Sequence, residues 1–150
     1  MRAHFLEKKM YLIVIDAFSK WMEIAIAHTA TSEATMEGLR NMFATHGVPD
    51  TLVSDNGSCF TSEEFASFCN GNNITHITSH PFHPASNGLA ERSVQTLKAK
   101  LKRMQSGSLT TKISLILLRQ HTTPHSTIGV PPCQLLMGRM IKMHMAAVFP

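Results

Sequence analysis

Two acidic residues, Asp55 and Glu91, are separated by 35 residues and lie in the two most strongly patterned segments of the chain. Asp55 follows residues 51–54, a β-branched and apolar run typical of a buried strand, and precedes the turn signal Asn56-Gly57. Around Glu91, apolar residues recur at helical spacing; they are Ala90, Val94, Leu97, Leu101 and Met104. Both acids are therefore predicted to lie on rigid elements, and a fold that brings them together would form a magnesium site.

Each acid also has an ordinary structural explanation. Asp55 could belong to a surface turn, because Asp-Asn-Gly is a common turn sequence. Glu91 is predicted in the first turn of its helix, where the helix dipole favours a negative charge. Neither acid by itself therefore indicates a function.

Several longer segments accompany the two acids: residues 11–21 (YLIVIDAFSKW), 53–57 (VSDNG), 60–65 (FTSEEF), 83–92 (HPASNGLAER), 124–126 (PHS) and 135–139 (LLMGR). Together they resemble the catalytic core of retroviral and gypsy-type retrotransposon integrases, and the resemblance covers almost the whole chain. The last two catalytic acids of that family have the same spacing. The resemblance therefore implies that Asp55 and Glu91 are catalytic residues and metal ligands.

The chemistry of that family uses three acids, because two metal ions about 3.5–4 Å apart must be held. Asp16 is a tempting third acid. The resemblance places Asp16 at the end of the second strand, however, whereas the first catalytic acid lies on the first strand, at a position that falls on or before Met1. We therefore predict that Asp16 is not catalytic, that the chain is N-terminally truncated, and that any activity would depend on Mg²⁺ or Mn²⁺ held by two acids.

The charges are unevenly distributed along the chain. Residues 1–91 contain all ten acids and five bases, whereas residues 92–150 contain nine bases and no acid. A strongly basic half predicts contacts with phosphate groups. We predict that double-stranded DNA is bound by Asn87, Arg92, Lys98 and Lys102, since the two lysines continue the helical face that carries Glu91. The alternative is a solvated face whose lysines complement the helix C-terminus.

Length and composition favour one globular domain over residues 1–150. No apolar run approaches the length of a membrane span, and the N-terminal residues lack a signal-peptide core. Three cysteines without a CxxC spacing predict reduced thiols and no zinc module. The sequence therefore predicts an intracellular protein, located in the nucleus if DNA is its partner, with no membrane association.

Hydrophobic patterns predict the secondary structure. Strands are expected at residues 10–15, 22–27, 51–54 and 74–78, with a hairpin through residues 18–20. Helices are expected at residues 32–45, at 61–70 with a capping box of Thr61 and Glu64, at 88–105, at 113–119, and after Pro131-Pro132. The chain from Pro81 to Gly88 is expected to be irregular.

The resemblance implies an α/β fold, a ribonuclease-H-like mixed sheet flanked by helices. Its first strand lies centrally, between the strands at 10–15 and 51–54, and residues 2–8 are too short and too charged to replace it convincingly. Because neighbouring strands lie about 4.8 Å apart, a missing strand would leave a gap of nearly 10 Å between two edges. Exposed strand edges carry unpaired backbone groups that pair readily with another strand or another chain. We therefore expect a destabilised domain, a homo-oligomer formed through these edges, or a sheet completed by another segment.

Three functions remain open. The favoured one is a retrotransposon-derived, domesticated integrase core that binds DNA, or serves as a protein-interaction remnant, and is catalytically impaired, because two ligands cannot easily position two ions. The second is an active metal-dependent polynucleotidyl transferase for DNA integration. The third is a nonfunctional fragment of an open reading frame.

Overall fold

Five strands and six helices are found in the residues that the computed structural model describes, which are 2–3, 10–79 and 84–143. Side chains are described for residues 11–79 and 92–143. The strands are β1 (Arg2–Ala3), β2 (Met10–Ile15), β3 (Met22–Ala27), β4 (Thr51–Ser54) and β5 (Thr75–Thr78). The helices are α1 (Ser32–His46), α2 (Ser58–Thr61), α3 (Glu63–Gly71), α4 (Pro84–Arg103), α5 (Leu109–Thr122) and α6 (Pro132–Met137).

Strand β4 lies at the centre of a three-stranded sheet, with β1 on one side and β5 on the other. Both neighbours run parallel to β4, and the register pairs Val53 with Arg2 and with Ile77. Strands β2 and β3 form a separate pair, joined by a short turn that only an antiparallel arrangement permits. The described strands therefore form two small sheets.

Strand β1 corrects one expectation from the sequence. Residues 2–8 were expected to leave the position of the first strand empty, but Arg2 and Ala3 pair with Val53 and Ser54. Pairing of this kind depends on backbone N–H and C=O groups, so charged side chains do not prevent it. The described strand is two residues long. Residues 4–9 lie outside the described residues.

The chain divides into two compact units, Met1–Val14 with Glu23–Val94, and Ile15–Met22 with Gln95–Pro150. The prediction of one domain over residues 1–150 stays a prediction. In the first unit, helix α1 packs closely on the strands at Gly38, where an added Cβ would lie 3.0 Å from Leu12 Cδ2 and 3.3 Å from the Ala25 Cβ. The buried core of this unit contains Leu12, Val14, Leu39, Met42, Phe43, Leu52, Cys59, Phe60, Phe65, Phe68, Cys69 and Ile74.

Helix boundaries differ from the predictions where polar residues decide them. The N-cap of α3 is Ser62, whose side chain accepts a hydrogen bond from Phe65 N, so the predicted capping box at Thr61 is wrong. Ser108 caps α5 in the same way, and this helix begins four residues before its first buried residue, Ile113. Serine at an N-cap satisfies an otherwise unpaired N–H group, whereas the apolar pattern alone marks only the buried part of a helix.

Helix α4 begins at Pro84, which corrects the expectation of an irregular chain as far as Gly88. Proline suits the first position of a helix, because the N–H group that it lacks has no helical partner there. Asn87 and Gly88 therefore belong to the helix, and Glu91 lies in its second turn instead of its first. Residues 80–83 are outside the described part of the chain.

In the second unit, α5 holds the turn between β2 and β3. The His121 ring stacks on Trp21 with ring centroids 3.4 Å apart, and its Nε2 lies 2.8 Å from Met22 O. The Gln120 Nε2 atom donates a hydrogen bond of 2.7 Å to Lys20 O. The turn is thus fixed by two adjacent polar side chains.

All three cysteines are free and buried. None of the helices that the structure describes is long and apolar enough to cross a membrane.

Candidate active site

Asp55 lies directly after β4, at the carboxyl end of the parallel strands, where the sequence predicted it. Its Oδ1 atom accepts a hydrogen bond of 2.9 Å from Gly57 N. A Cβ at position 57 would lie 3.0 Å from that same oxygen, so glycine is the residue that permits this close approach. The turn therefore orients a half-buried carboxylate.

Ser54 stabilises the backbone of Asp55 through a hydrogen bond. Its hydroxyl is buried, donates a hydrogen bond of 2.9 Å to Asp55 O and lies 2.8 Å from His76 Nε2. Because the single hydroxyl hydrogen goes to the carbonyl, His76 Nε2 is the donor in the second contact. The Ser79 N atom donates to Ser54 O at 2.8 Å, which ties β5 to the end of β4. Sequence reasoning missed this support, since its only signal is the register of two strands.

His76 is half-buried and packs edge-on against Phe65, with ring centroids 5.0 Å apart. Burial lowers the pKa of His76 below its ordinary value, because a charged imidazolium loses hydration in this position. His76 is therefore neutral at pH 7.

Acidification should destabilise the protein through His76. An unfolded histidine titrates near about pH 6.5. Since the pKa of folded His76 lies lower, the unfolded chain binds more protons just below pH 6.5, and the free energy of unfolding falls as pH falls through that value. Urea unfolding at pH 7.5 and pH 5.0 should show a smaller loss for His76→Gln than for the wild type.

The matched control for this pH prediction is His28→Gln, because His28 is exposed. That variant should retain the full pH dependence of the wild type. A His76→Gln variant that loses as much stability between the two pH values as the wild type would contradict the assignment.

Glu91 and Asn87 are placed on α4, but their side chains lie outside the described residues. The convergence of Glu91 with Asp55 therefore stays a prediction. Among the described residues, no three His, Cys, Asp or Glu side chains are grouped so that they could hold a metal ion. Asp55 is the one predicted metal ligand whose side chain is described.

Asp16 has a structural role in the turn between β2 and β3. Its Oδ2 atom accepts hydrogen bonds from Ser19 N at 2.8 Å and from Ser19 Oγ at 2.7 Å. Burial would raise the pKa of Asp16, but the hydrogen bonds from Ser19 outweigh burial and hold this pKa below its ordinary value. The carboxylate thus stabilises its own turn.

Asp55 also affects the thiol of Cys59, four residues further along the chain. Burial raises the pKa of the Cys59 thiol, and the nearby negative charge of Asp55 raises it further. The thiol stays protonated at pH 7, whereas metal binding and nucleophilic attack need the thiolate.

Four of the five basic residues of α4 are exposed, and Lys100 is half-buried. Arg92, Lys98 and Lys102 face solvent, while Val94 and Leu97 are buried. Lys98 and Lys102 share one side of the helix with Gln95, which is also exposed. This exposed cationic row can contact an anionic partner.

The sequence model of the integrase core domain family matches residues 3–84, more than half of the chain. The chain belongs to the integrase core domain family. An uncharacterised protein of Caenorhabditis elegans, K02A2.6, is 37% identical over 142 residues, or 93% of this chain and 11% of that protein. The Gag-Pol polyprotein of Walleye dermal sarcoma virus is 31% identical over 142 residues, or 91% of this chain and 8% of the polyprotein. This integrase core thus spans about a tenth of the length of these relatives, and its retroelement origin is clear.

Solved structures confirm the ribonuclease-H-like fold of this integrase core. The catalytic core domain of BIV integrase superposes with a TM-score of 0.76 at 23% identity, covering 91% of this chain and 92% of that chain. The HTLV-2 core in complex with magnesium, in a trimeric form, gives 0.72 at 23% identity, covering 89% and 90%. A simian T-cell lymphotropic virus intasome in complex with the PP2A subunit B56 gamma gives 0.79 at 22% identity, covering 96% and 57%.

Proposed function

We propose that this integrase core binds double-stranded DNA through α4 and is impaired in metal-dependent phosphoryl transfer. The observation that carries the proposal is the exposed row of Lys98 and Lys102, which follows the exposed Arg92 on one helix. No acidic residue follows Glu91 in the sequence. Cations arranged at helical spacing suit a phosphate backbone, which supplies most of the affinity in nonspecific DNA binding.

The proposed impairment is supported by the residues of β1, which pairs with β4. The residues described there are Arg2 and Ala3, neither of which has a carboxylate. The Asp16 carboxylate already accepts two hydrogen bonds from Ser19. This leaves Asp55 and Glu91, if they converge, as two acids for a reaction that uses two metal ions.

Asp55 and Glu91 would hold Mg²⁺ or Mn²⁺, as oxygen ligands suit both. When bound, such an ion stabilises negative charge on a phosphoryl oxygen. The HTLV-2 relative was solved with magnesium. Within the described residues, the contribution of this chain is to orient one carboxylate, through Gly57 N and the support of Ser54.

The impairment is tested by an assay of end processing and strand transfer on labelled duplex DNA in Mn²⁺. We expect the wild type to give no more product than Asp55→Asn or Glu91→Gln, because two acids do not position two ions. The variants should be checked for wild-type circular dichroism. Product formed by the wild type and abolished by Glu91→Gln would establish the active polynucleotidyl transferase instead.

The second candidate function is protein interaction. In this case the integrase core would associate with a second copy of itself. It is favoured by the edge strand β5, which pairs with β4 alone among the described strands and exposes Ile77. The HTLV-2 core has been solved as a dimer and as a trimer. Light scattering of the full chain tests this proposal, and a monomer at all concentrations would remove it.

A nuclear location follows from the proposed DNA partner, and imaging of the tagged chain tests it.

A further inference from the structure

A cavity of about 510 Å³ lies in the second unit, between the end of α4, helix α5 and the residues after α5. Three cationic side chains line it: Lys100 and Arg103 from α4, and Arg119 from α5. Apolar side chains, including Met104 and Leu115, form the other part of its wall. Its volume falls in the range of small-molecule sites, which is about 300–1,000 Å³.

The cavity is separate from the proposed DNA-binding row. At 100° per residue, Lys100 and Arg103 lie about 100–160° around α4 from Lys98 and Lys102. A straight duplex that contacts the row of Lys98 and Lys102 would therefore leave the cavity side of the helix uncovered. A role for the cavity cations is therefore additional to the proposed binding of DNA.

Positive charge is concentrated in this cavity. Burial lowers the pKa of Lys100, and the positive charge of Arg119 lowers it further. Lys100 is half-buried and Arg119 is exposed. Two neighbouring cations that repel each other are stabilised by an anion placed between them. Among the described residues that line the cavity, none is acidic.

We propose that this cavity binds an organic phosphate of the size of a nucleoside monophosphate. The phosphate would lie among Lys100, Arg103 and Arg119, because a phosphate monoester carries about −1.5 to −2 charges at pH 7 and matches the donor fork of arginine. The ring of the ligand would contact Met104 and Leu115.

The test is a calorimetric titration of the full 150-residue chain with deoxyadenosine monophosphate at low salt. We expect saturable binding that Arg119→Gln weakens at least tenfold. Lys112→Gln is the matched control, since it removes one charge from the same helix at a residue that does not line the cavity; it should change the affinity less than twofold. No binding at 5 mM ligand, or equal losses in the two variants, would overturn the proposal.

Two further titrations test which part of the ligand is recognised and whether the cavity is separate from the DNA-binding surface. Inorganic phosphate should bind at least tenfold more weakly than the nucleotide, and equal affinities would refute the role of the apolar wall. Saturating duplex DNA should leave nucleotide affinity unchanged, whereas competition would make the cavity part of the DNA surface. If Arg119→Gln does not fold by circular dichroism, Lys100→Gln provides the same comparison.

Discussion

Replacing Lys98 and Lys102 together with glutamate is expected to lower the affinity for duplex DNA about 100-fold at low salt. Each phosphate contact contributes about −0.9 to the slope of log K against log salt, so loss of two contacts should make the slope about 1.8 less steep. Charge reversal adds repulsion of the phosphates to the loss of these contacts. Fluorescence anisotropy with a labelled duplex at several salt concentrations measures both quantities.

The matched control is Arg139→Glu with Lys142→Glu. Both positions are exposed, and the double change brings the formal net charge from +4 to zero, as does the change on α4. If position matters, the control should lose less than tenfold in affinity and keep the wild-type salt slope. Equal losses in the two double variants would show that only the total charge attracts DNA.

Replacing Phe65 with alanine should destabilise the first unit by about 3–5 kcal/mol, because it removes a large buried ring. Phe65 is fully buried and meets Phe60 edge-on, with centroids 5.4 Å apart, and His76 at 5.0 Å. A typical domain has a free energy of unfolding of about 5–15 kcal/mol, so this change could remove most of it. Urea unfolding followed by circular dichroism measures the loss.

Phe18→Ala is the control for this prediction, because Phe18 is 73% exposed. It deletes the same ring from a surface position and should change the free energy of unfolding by less than about 0.5 kcal/mol. A loss below about 1 kcal/mol in Phe65→Ala would contradict the core assignment. Phe65 also supports His76, so Phe65→Ala should weaken the pH dependence that His76 confers.

Much of the fold could be predicted because apolar periodicity records burial. Residues 10–15, 22–27 and 51–54 form strands with the predicted bounds, since an unbroken or alternating apolar run is what a covered strand requires. The helical spacing of Val94 and Leu97 likewise predicted which face of α4 is buried. Polar caps such as Ser62 and the start at Pro84 were missed, because backbone hydrogen bonding decides them.

The candidate site was predictable only in part. The sequence located Asp55 at the end of a strand, where Asn56-Gly57 turns the chain. It did not predict that Ser54 and His76 would support this residue, because they are 22 positions apart and meet only through strand pairing. The role of Glu91 as the second metal ligand stays a prediction.

The sequence by itself determined the strands, the buried faces of the helices and the basic second half, because burial and charge are properties of each residue and its neighbours along the chain. Only the tertiary structure decided that Gln120 and His121 contact the backbone of Lys20 and Met22, that Arg2 and Ala3 pair with β4, and that Arg119 and Lys100 line one cavity. These contacts depend on hydrogen-bond direction and on the packing of distant segments, which no local pattern encodes.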